Sequence, residues 1–512
     1  MHQLSGQKNT KDPISLGLEN QPLSLSHYLS FCAPRVAFNW LYAPIAILQG
    51  IYAKHYGIAL TTIAAIVLLT RIFDAITDPL VGYYSDRYCR QTGTRKPFIL
   101  VGSVLLIISS YFLYVPMNLN LISVAHVGGV HTSTVSATYL TIWFLLFYLG
   151  FTLFDIPHNA WASELATSST DKSRIYSFQC VAAYIGLVIF YAIPLLPFFE
   201  STEITPYTLK ISVIAASILM LSLLYFCLMR TPNRSSCEAS AQVPNSISKK
   251  VAKKNMLTAI ISNKPLLLLL TAYIFSGISL GLWYGLIFLY VDSYLNLGEQ
   301  FAKMFLIAFG VGIAVTPLWY KASVIFGRKK ALVLGMIILI VSFLYTGLLS
   351  PGHTSFEQLL LLKIINTIGA ACMAALIPAM LSEIVDYGDW KYSGKYAGIY
   401  FSMYTFSNKA NLALGTALGL AIVGWFGYDA TASSQNIEAT NGMMLSMVWL
   451  PSMFSVIALI LLALNPITEN RHQIIRRRMD SIAMRSNRNV FTSVAAPQPK
   501  NSHQVTAEPY VT

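Results

Sequence analysis

The chain has 512 residues, of which 55% are apolar and only 11% charged, against about 25% charged in soluble domains. That composition excludes a soluble globular protein: at about 22 residues per bilayer-spanning helix, the apolar residues suffice for about a dozen spans, with no large soluble domain left over. The formal net charge of +13 leaves nucleic acid and an anionic membrane surface as partners to be separated by where the basic residues fall.

Residues 1–26 form a polar tail with no apolar h-region or cleavage signal, so the first apolar run is a retained helix. Long apolar runs then predict an all-α membrane protein. Six helices fall near 27–51, 58–84, 97–117, 138–164, 174–199 and 208–229. Six more fall near 265–291, 299–320, 329–349, 357–383, 396–427 and 441–464. Between the two sets, residues 230–264 carry Pro232, Pro244, a serine-rich patch and Lys249, Lys250, Lys253 and Lys254, which reads as a polar linker. The chain thus divides into an N-terminal half, 27–229, a linker, a C-terminal half, 265–464, and a basic tail, 465–512.

With an even helix count the termini share one side, and 28 of the 35 Lys and Arg fall on that side. The positive-inside asymmetry places both termini in the cytoplasm and the protein in the cytoplasmic membrane. It also disposes of nucleic acid as the partner, because the excess charge lies where anionic lipid attracts it; Arg476, Arg477 and Arg478 read as such a surface anchor. Six cysteines show no CxxC spacing, which indicates neither a zinc site nor a disulfide framework.

Weak repetition relates the halves. Helix 2 carries Asp78-Pro79 and leads to Arg95-Lys96, as helix 8 carries Thr316-Pro317 and leads to Arg328-Lys329-Lys330. Helix 4 has Ile156-Pro157 followed by Ser163-Glu164, and helix 10 has Ile377-Pro378 followed by Ser382-Glu383. Two coincidences in the same order favour duplication of a six-helix unit.

Several charges stand inside the apolar runs, where each costs at least ~2.5–3.5 kcal/mol on insertion scales. Helix 1 places Arg35, Asn39 and Tyr42 at helical spacing. Helix 2 places Arg71, Asp74 and Asp78 on one stripe. One arginine cannot neutralise two carboxylates, so the surplus points to a cation site; the alternative is a buried ionic knot that only locks helices together. Helix 4 supplies Tyr148, Thr152, Asp155 and Asn159 on one stripe, with Pro157 freeing backbone carbonyls. Hydroxyl, carboxylate and carbonyl oxygens are the hard ligands that a small cation or a proton needs. His158 reads either as a titrating group or, as a lone histidine near a helix end, as a packing residue. Lys363 lies near a helix start, where it can snorkel. Lys409 lies midway along helix 11 with Ser402 and Thr405 on its face, and is either a static partner of a helix 2 acid or part of a switchable charge network with Arg71.

The stretch after helix 2, GYYSDRYCRQTGTRKP, presents Gly82, Asp86, Arg87, Arg90, Arg95 and Lys96 as a loop. There Gly82 allows close helix approach and Asp86 can engage a neighbouring helix end or arginine. No HExxH or phosphate loop is present, which argues against a membrane enzyme.

Twelve helices in two pseudo-symmetric six-helix halves, with G-x-x-x-D-R-x-x-R between helices 2 and 3, resemble the major facilitator superfamily. More narrowly, FDAITDPLVGYYSDR, FTLFDIP and VDYGDWKYSGK followed by Lys409 resemble the glycoside–pentoside–hexuronide cation symporters. The resemblance implies that Asp74, Asp78 and Thr152 contribute to a cation site, with Lys409 beside it, and that Asp155 binds substrate. The family's asparagine before the second helix 2 acid is Thr77 here, and Val36 beside Arg35 stands where a sugar-binding acid is found in helix 1. The expected function is cation-coupled symport, with H+ or Na+, of a sugar or sugar-derived solute by a monomer without a cofactor. The alternatives are a carrier for another organic anion or a lipid, and a non-transporting solute sensor. A last expectation concerns Arg35, whose guanidinium fork suits a carboxylate, sulfonate or phosphate: it either meets an acidic solute or pairs internally with Asp155 or a helix 2 acid.

Overall fold

The computed structural model describes residues 24–116, 122–127, 130–165, 169–231, 260–392, 397–432, 435–468, 471, 474–475 and 477–478. The N-terminal tail, most of the linker and most of the basic tail, Arg476 included, lie outside the described residues, as do the side chains of Ser163, Ser402 and Lys409.

The N-terminal half contains α1 (Leu25–Tyr56), α2 (Leu60–Thr92), α3 (Lys96–Tyr114), α4 (Ala137–Leu165), α5 (Ser169–Ala192) and α6 (Pro206–Arg230). The C-terminal half contains α7 (Lys264–Leu289), α8 (Gly298–Phe326), α9 (Arg328–Thr346), α10 (Phe356–Tyr392), α11 (Ala397–Trp425) and α12 (Ile437–Leu464). Among the described residues, 11 helices are long and apolar enough to cross a membrane; α11, with 29 residues, takes the remaining place in the expected twelve.

Local chemistry sets the helix ends. Gly57 and Gly93 adopt left-handed φ of 67° and 73° and stop α1 and α2. Thr205 and Thr208 form a reciprocal capping box at the start of α6. Inside α1, Pro34 and Pro44 each begin a new helical segment, because neither can donate to the preceding turn.

Four expectations are corrected. The stretch holding Gly82, Asp86, Arg87 and Arg90 is not a loop but the last turns of α2, since nothing breaks the helix before Gly93. Gly82 does not mark a tight crossing either: a methyl there would meet Ile156 at an ordinary 3.9 Å. Cys89 in the same turns is disulfide-bonded, a pairing that the spacing of the cysteines did not indicate because tertiary proximity decides it. Between α3 and α4, where no element was expected, Ile122–Val127 and Val130–Val135 pair as an antiparallel hairpin in register from Ile122↔Val135 to Val127↔Val130. Its β-branched strands flank a Gly-Gly dipeptide, a hairpin signal that a search for apolar runs overlooks.

Within the halves, α3 packs on α4 and α9 on α10, while α7 packs on both α11 and α12; the halves meet chiefly as α2 against α11 and α5 against α8. The repetition is structural. Pro79, Pro157, Pro317 and Pro378 all lie inside helices α2, α4, α8 and α10. Arg95 at the start of α3 pairs with Glu164 of α4 at 2.7 Å, and Arg328 at the start of α9 pairs with Glu383 of α10 in the same way.

Candidate functional site

α1 and α4 build the first polar cluster. The second segment of α1 carries Arg35, only 8% exposed. Its Nη1 donates to Asp155 Oδ1 at 2.5 Å and its Nη2 to Asn159 Oδ1 at 2.6 Å. Asn159 closes the triangle by donating to Asp155 Oδ2 at 3.1 Å, one turn along α4. The guanidinium lies near the rings of Phe38 and Phe154, at 5.4 and 5.8 Å from their centroids. The internal ion pair of Arg35 with Asp155 is thus present.

α2 and α4 build the second cluster. Arg71 pairs with Asp74 at 2.8 Å and lies 4.2 Å over the ring of Tyr148. Asp78, one turn beyond Asp74, accepts from the Thr152 hydroxyl at 2.9 Å. Two carboxylates a turn apart, with a hydroxyl from the neighbouring helix, make an all-oxygen donor set suited to a proton or a small hard cation. Among the described residues no group of three or more His, Cys, Asp and Glu converges, so a soft-metal centre has no ligand set here. Thr152 and Asp155 stand three residues apart on α4, and thus one helix carries both clusters.

Other expected site residues stand elsewhere. Asn39 donates to its own helix at Arg35 O, 2.8 Å, and Thr77 to Phe73 O, 3.0 Å. Tyr148 packs against Arg71 rather than beside Asp155. Asp86 engages Arg95 at 2.7 Å, the neighbouring arginine expected of it, while Arg87 and Arg90 are exposed. His158 is fully buried, bonded to Phe31 O at 3.1 Å and stacked on the Phe31 ring at 4.3 Å, which makes it a packing residue. The Lys409 side chain lies outside the described residues. Lys363 does not snorkel: it is 3% exposed and enclosed by aromatic rings.

One set of charges was missed. Lys54 at the end of α1 pairs with Glu203 in the α5–α6 connection at 2.9 Å and with Asp292, in the π-helical turn that follows α7, at 2.8 Å. Thr202 donates to Glu299 O at 2.8 Å beside them. Lys54 was visible as a lone base in a connection on the side opposite the basic face, but its partners are distant in sequence. Partial burial pushes the Glu203 carboxyl up, yet the hydrogen bond from Lys54 outweighs it and holds that carboxyl below its ordinary value. These contacts tie the halves together on that opposite face. The ion pairs described on the basic face, Arg95 with Asp86 and Glu164 and Arg328 with Glu383, each stay inside one half.

Twelve membrane helices in two related halves, with ion-paired side chains buried between helices, define a membrane transporter of the major facilitator fold. A family model described as MFS/sugar transport protein matches residues 30–469, and the chain belongs to that family. The chain is 24% identical over 473 residues to the glucuronide carrier protein homolog of Escherichia coli (strain K12), covering 90% of this chain and 97% of that protein. It is 23% identical over 523 residues to the sodium-dependent lysophosphatidylcholine symporter 1 of Xenopus tropicalis, covering 92% and 93%. In solved structures, the nucleoside transporter NupG shares the fold at a TM-score of 0.61 with 12% identity, over 86% of this chain and 99% of that one.

Proposed function

We propose that this protein is a secondary active symporter that couples H+ or Na+ to the movement of a sugar or sugar-derived solute by alternating access. In this reading Asp74, Asp78 and Thr152, with Thr77 beside them, hold the coupling cation, and Asp155, Arg35 and Asn159 hold the solute, with Asn39 and Tyr148 lining the approach. The observation that carries it is the shared helix: Thr152 donates to Asp78 while Asp155, three residues on, holds Arg35. A shift of α4 on cation binding therefore reaches the solute cluster directly. Arg71 and Lys409 form the charge network, and Asp86, Arg87 and Arg90, on α2 with Gly82, form the gate on the basic face.

The moving bodies are 27–229 and 265–464, joined by the linker 230–264, with the basic face and both termini in the cytoplasm and anionic lipid against the basic tail. The protein works as a monomer, without cofactor, and is not an enzyme. The family description and the glucuronide carrier relative support the sugar-like solute. A lipid or other organic anion is the second reading, supported by the lysophosphatidylcholine symporter relative. Proteoliposome uptake of neutral glycosides, uronates and lysophospholipids under imposed Na+ or proton gradients tests both readings. Gradient-driven accumulation of a sugar or uronate is the expected result; none under either gradient, or accumulation of lysophospholipid alone, rejects the first reading.

A further inference from the structure

Lys363 stands on the second turn of α10, and its ammonium is enclosed by three rings whose centroids lie 4.2 Å (Phe305), 4.6 Å (Tyr284) and 5.2 Å (Trp283) away. Its described polar contact is the Tyr284 hydroxyl at 3.5 Å. That hydroxyl donates to Asn366 Oδ1 at 3.2 Å, and the Asn366 amide donates to Ser342 Oγ at 3.3 Å. The chain of contacts ends without meeting an acid.

The other described bases of the membrane interior are answered by carboxylates: Arg35 by Asp155, and Arg71 by Asp74. Among the described residues no carboxylate forms an ion pair with Lys363. Each ring face attracts a desolvated ammonium, which helps to hold the charge in place without neutralising it. An apolar side chain would fill the same cage with no charge to desolvate, so packing alone does not account for a lysine here.

The position of the cage says what reaches it. Phe305 of α8, which covers the ammonium, is stacked on Tyr191 of α5 at 5.0 Å and 7°. Those two helices belong to opposite halves and form one of the seams along which the halves meet. Parting of α5 from α8 removes Tyr191 from Phe305 and unpins the ring that covers Lys363.

We infer that Lys363 is a specificity-determining residue of the C-terminal half that recognises an anionic group, a carboxylate or sulfonate, on the transported sugar-like solute. The inference rests on the transport reading above and assigns the solute's charge to a residue other than Arg35, whose Nη1 and Nη2 donate to Asp155 and Asn159.

The test compares uptake of p-nitrophenyl glucuronide and p-nitrophenyl glucoside by proteoliposomes carrying the wild type, Lys363→Gln or Lys363→Arg. Loss of a charge-assisted contact is expected to raise the glucuronide KM about tenfold or more in Lys363→Gln. Glucoside uptake stays unchanged, and Lys363→Arg keeps most of the glucuronide uptake. Equal changes for both solutes, no change for either, or wild-type uptake of glucoside alone overturns the inference. If Lys363→Gln does not fold, Lys363→Met, whose thioether fits an aromatic cage, repeats the comparison. If the wild type takes up neither solute, the transport reading is judged on the wider panel above and the comparison here passes to binding. Thermal stabilisation of the detergent-solubilised protein by the glucuronide then decides the role of Lys363: stabilisation lost in the Lys363 variant supports it, and no stabilisation of the wild type overturns it.

Discussion

Arg35 of α1 and Asp155 of α4 are joined by a 2.5 Å ion pair, and Asn159 accepts from the guanidinium's Nη2 and donates to the second carboxylate oxygen. The side chains are 10% and 20% exposed, so the pair is largely desolvated yet within reach of a polar solute. Removing one partner leaves a buried charge; removing both does not. Arg35→Gln and Asp155→Asn are each expected to lower stability by about 3 kcal/mol, and the double variant to recover much of that loss. Thermal unfolding in detergent measures it. Additive losses would mean that the pair contributes nothing as a pair.

Asp74 and Asp78 should separate coupling from passage. Asp74→Asn and Asp78→Asn are expected to abolish accumulation against a gradient while downhill exchange continues, because each removes a carboxylate from the oxygen set beside Thr152. Uphill transport at the wild-type level in both variants would reject the cation-site assignment.

The contact of Lys54 with Glu203 and Asp292 is expected to hold the halves together opposite the basic face. In a Cys180→Ser background, Lys54→Gln should speed the labelling of Phe309→Cys by an impermeant thiol reagent several-fold from that face, since Phe309 lies at the α5–α8 seam, 5.6 Å from the Tyr191 ring. The Glu203 carboxyl is held below its ordinary value. Its contribution is therefore complete above the ordinary glutamate range and is lost as pH falls through the lower, folded value. Labelling of Phe309→Cys no faster with Lys54→Gln than with Lys54 intact would contradict the assignment.

The α7–α11 crossing depends on glycine. A Cβ on Gly281 would run into Leu412 O, and one on Gly415 into Ile278 O. Gly281→Ala and Gly415→Ala should each cost about 1–3 kcal/mol by forcing the helices apart, read as a lowered unfolding temperature. A matching change at Gly310, where a Cβ meets nothing within 4 Å, should leave stability unchanged.

Composition and apolar run length determined the membrane, the helices and the division into halves, because hydrocarbon admits so few backbone solutions. The charges of α2 and α4 were legible for the same reason: a carboxylate such as Asp78 or Asp155 stands out in an apolar run. What the sequence could not decide was which charge meets which. Arg71 takes Asp74, Arg35 takes Asp155, Lys54 reaches Glu203 and Asp292, and Lys363 meets rings and a hydroxyl. Those pairings join residues on different helices, apart from the single α2 turn of Arg71 and Asp74, and spacing along one helix carries no information about the face of another. The extent of α2 is not legible for a local reason, since polarity reads as the end of the helix, whereas the helix stops only where Gly93 turns left-handed. Burial is read from periodicity, but ion pairing is set by packing, and packing exists only once the helices have folded against each other.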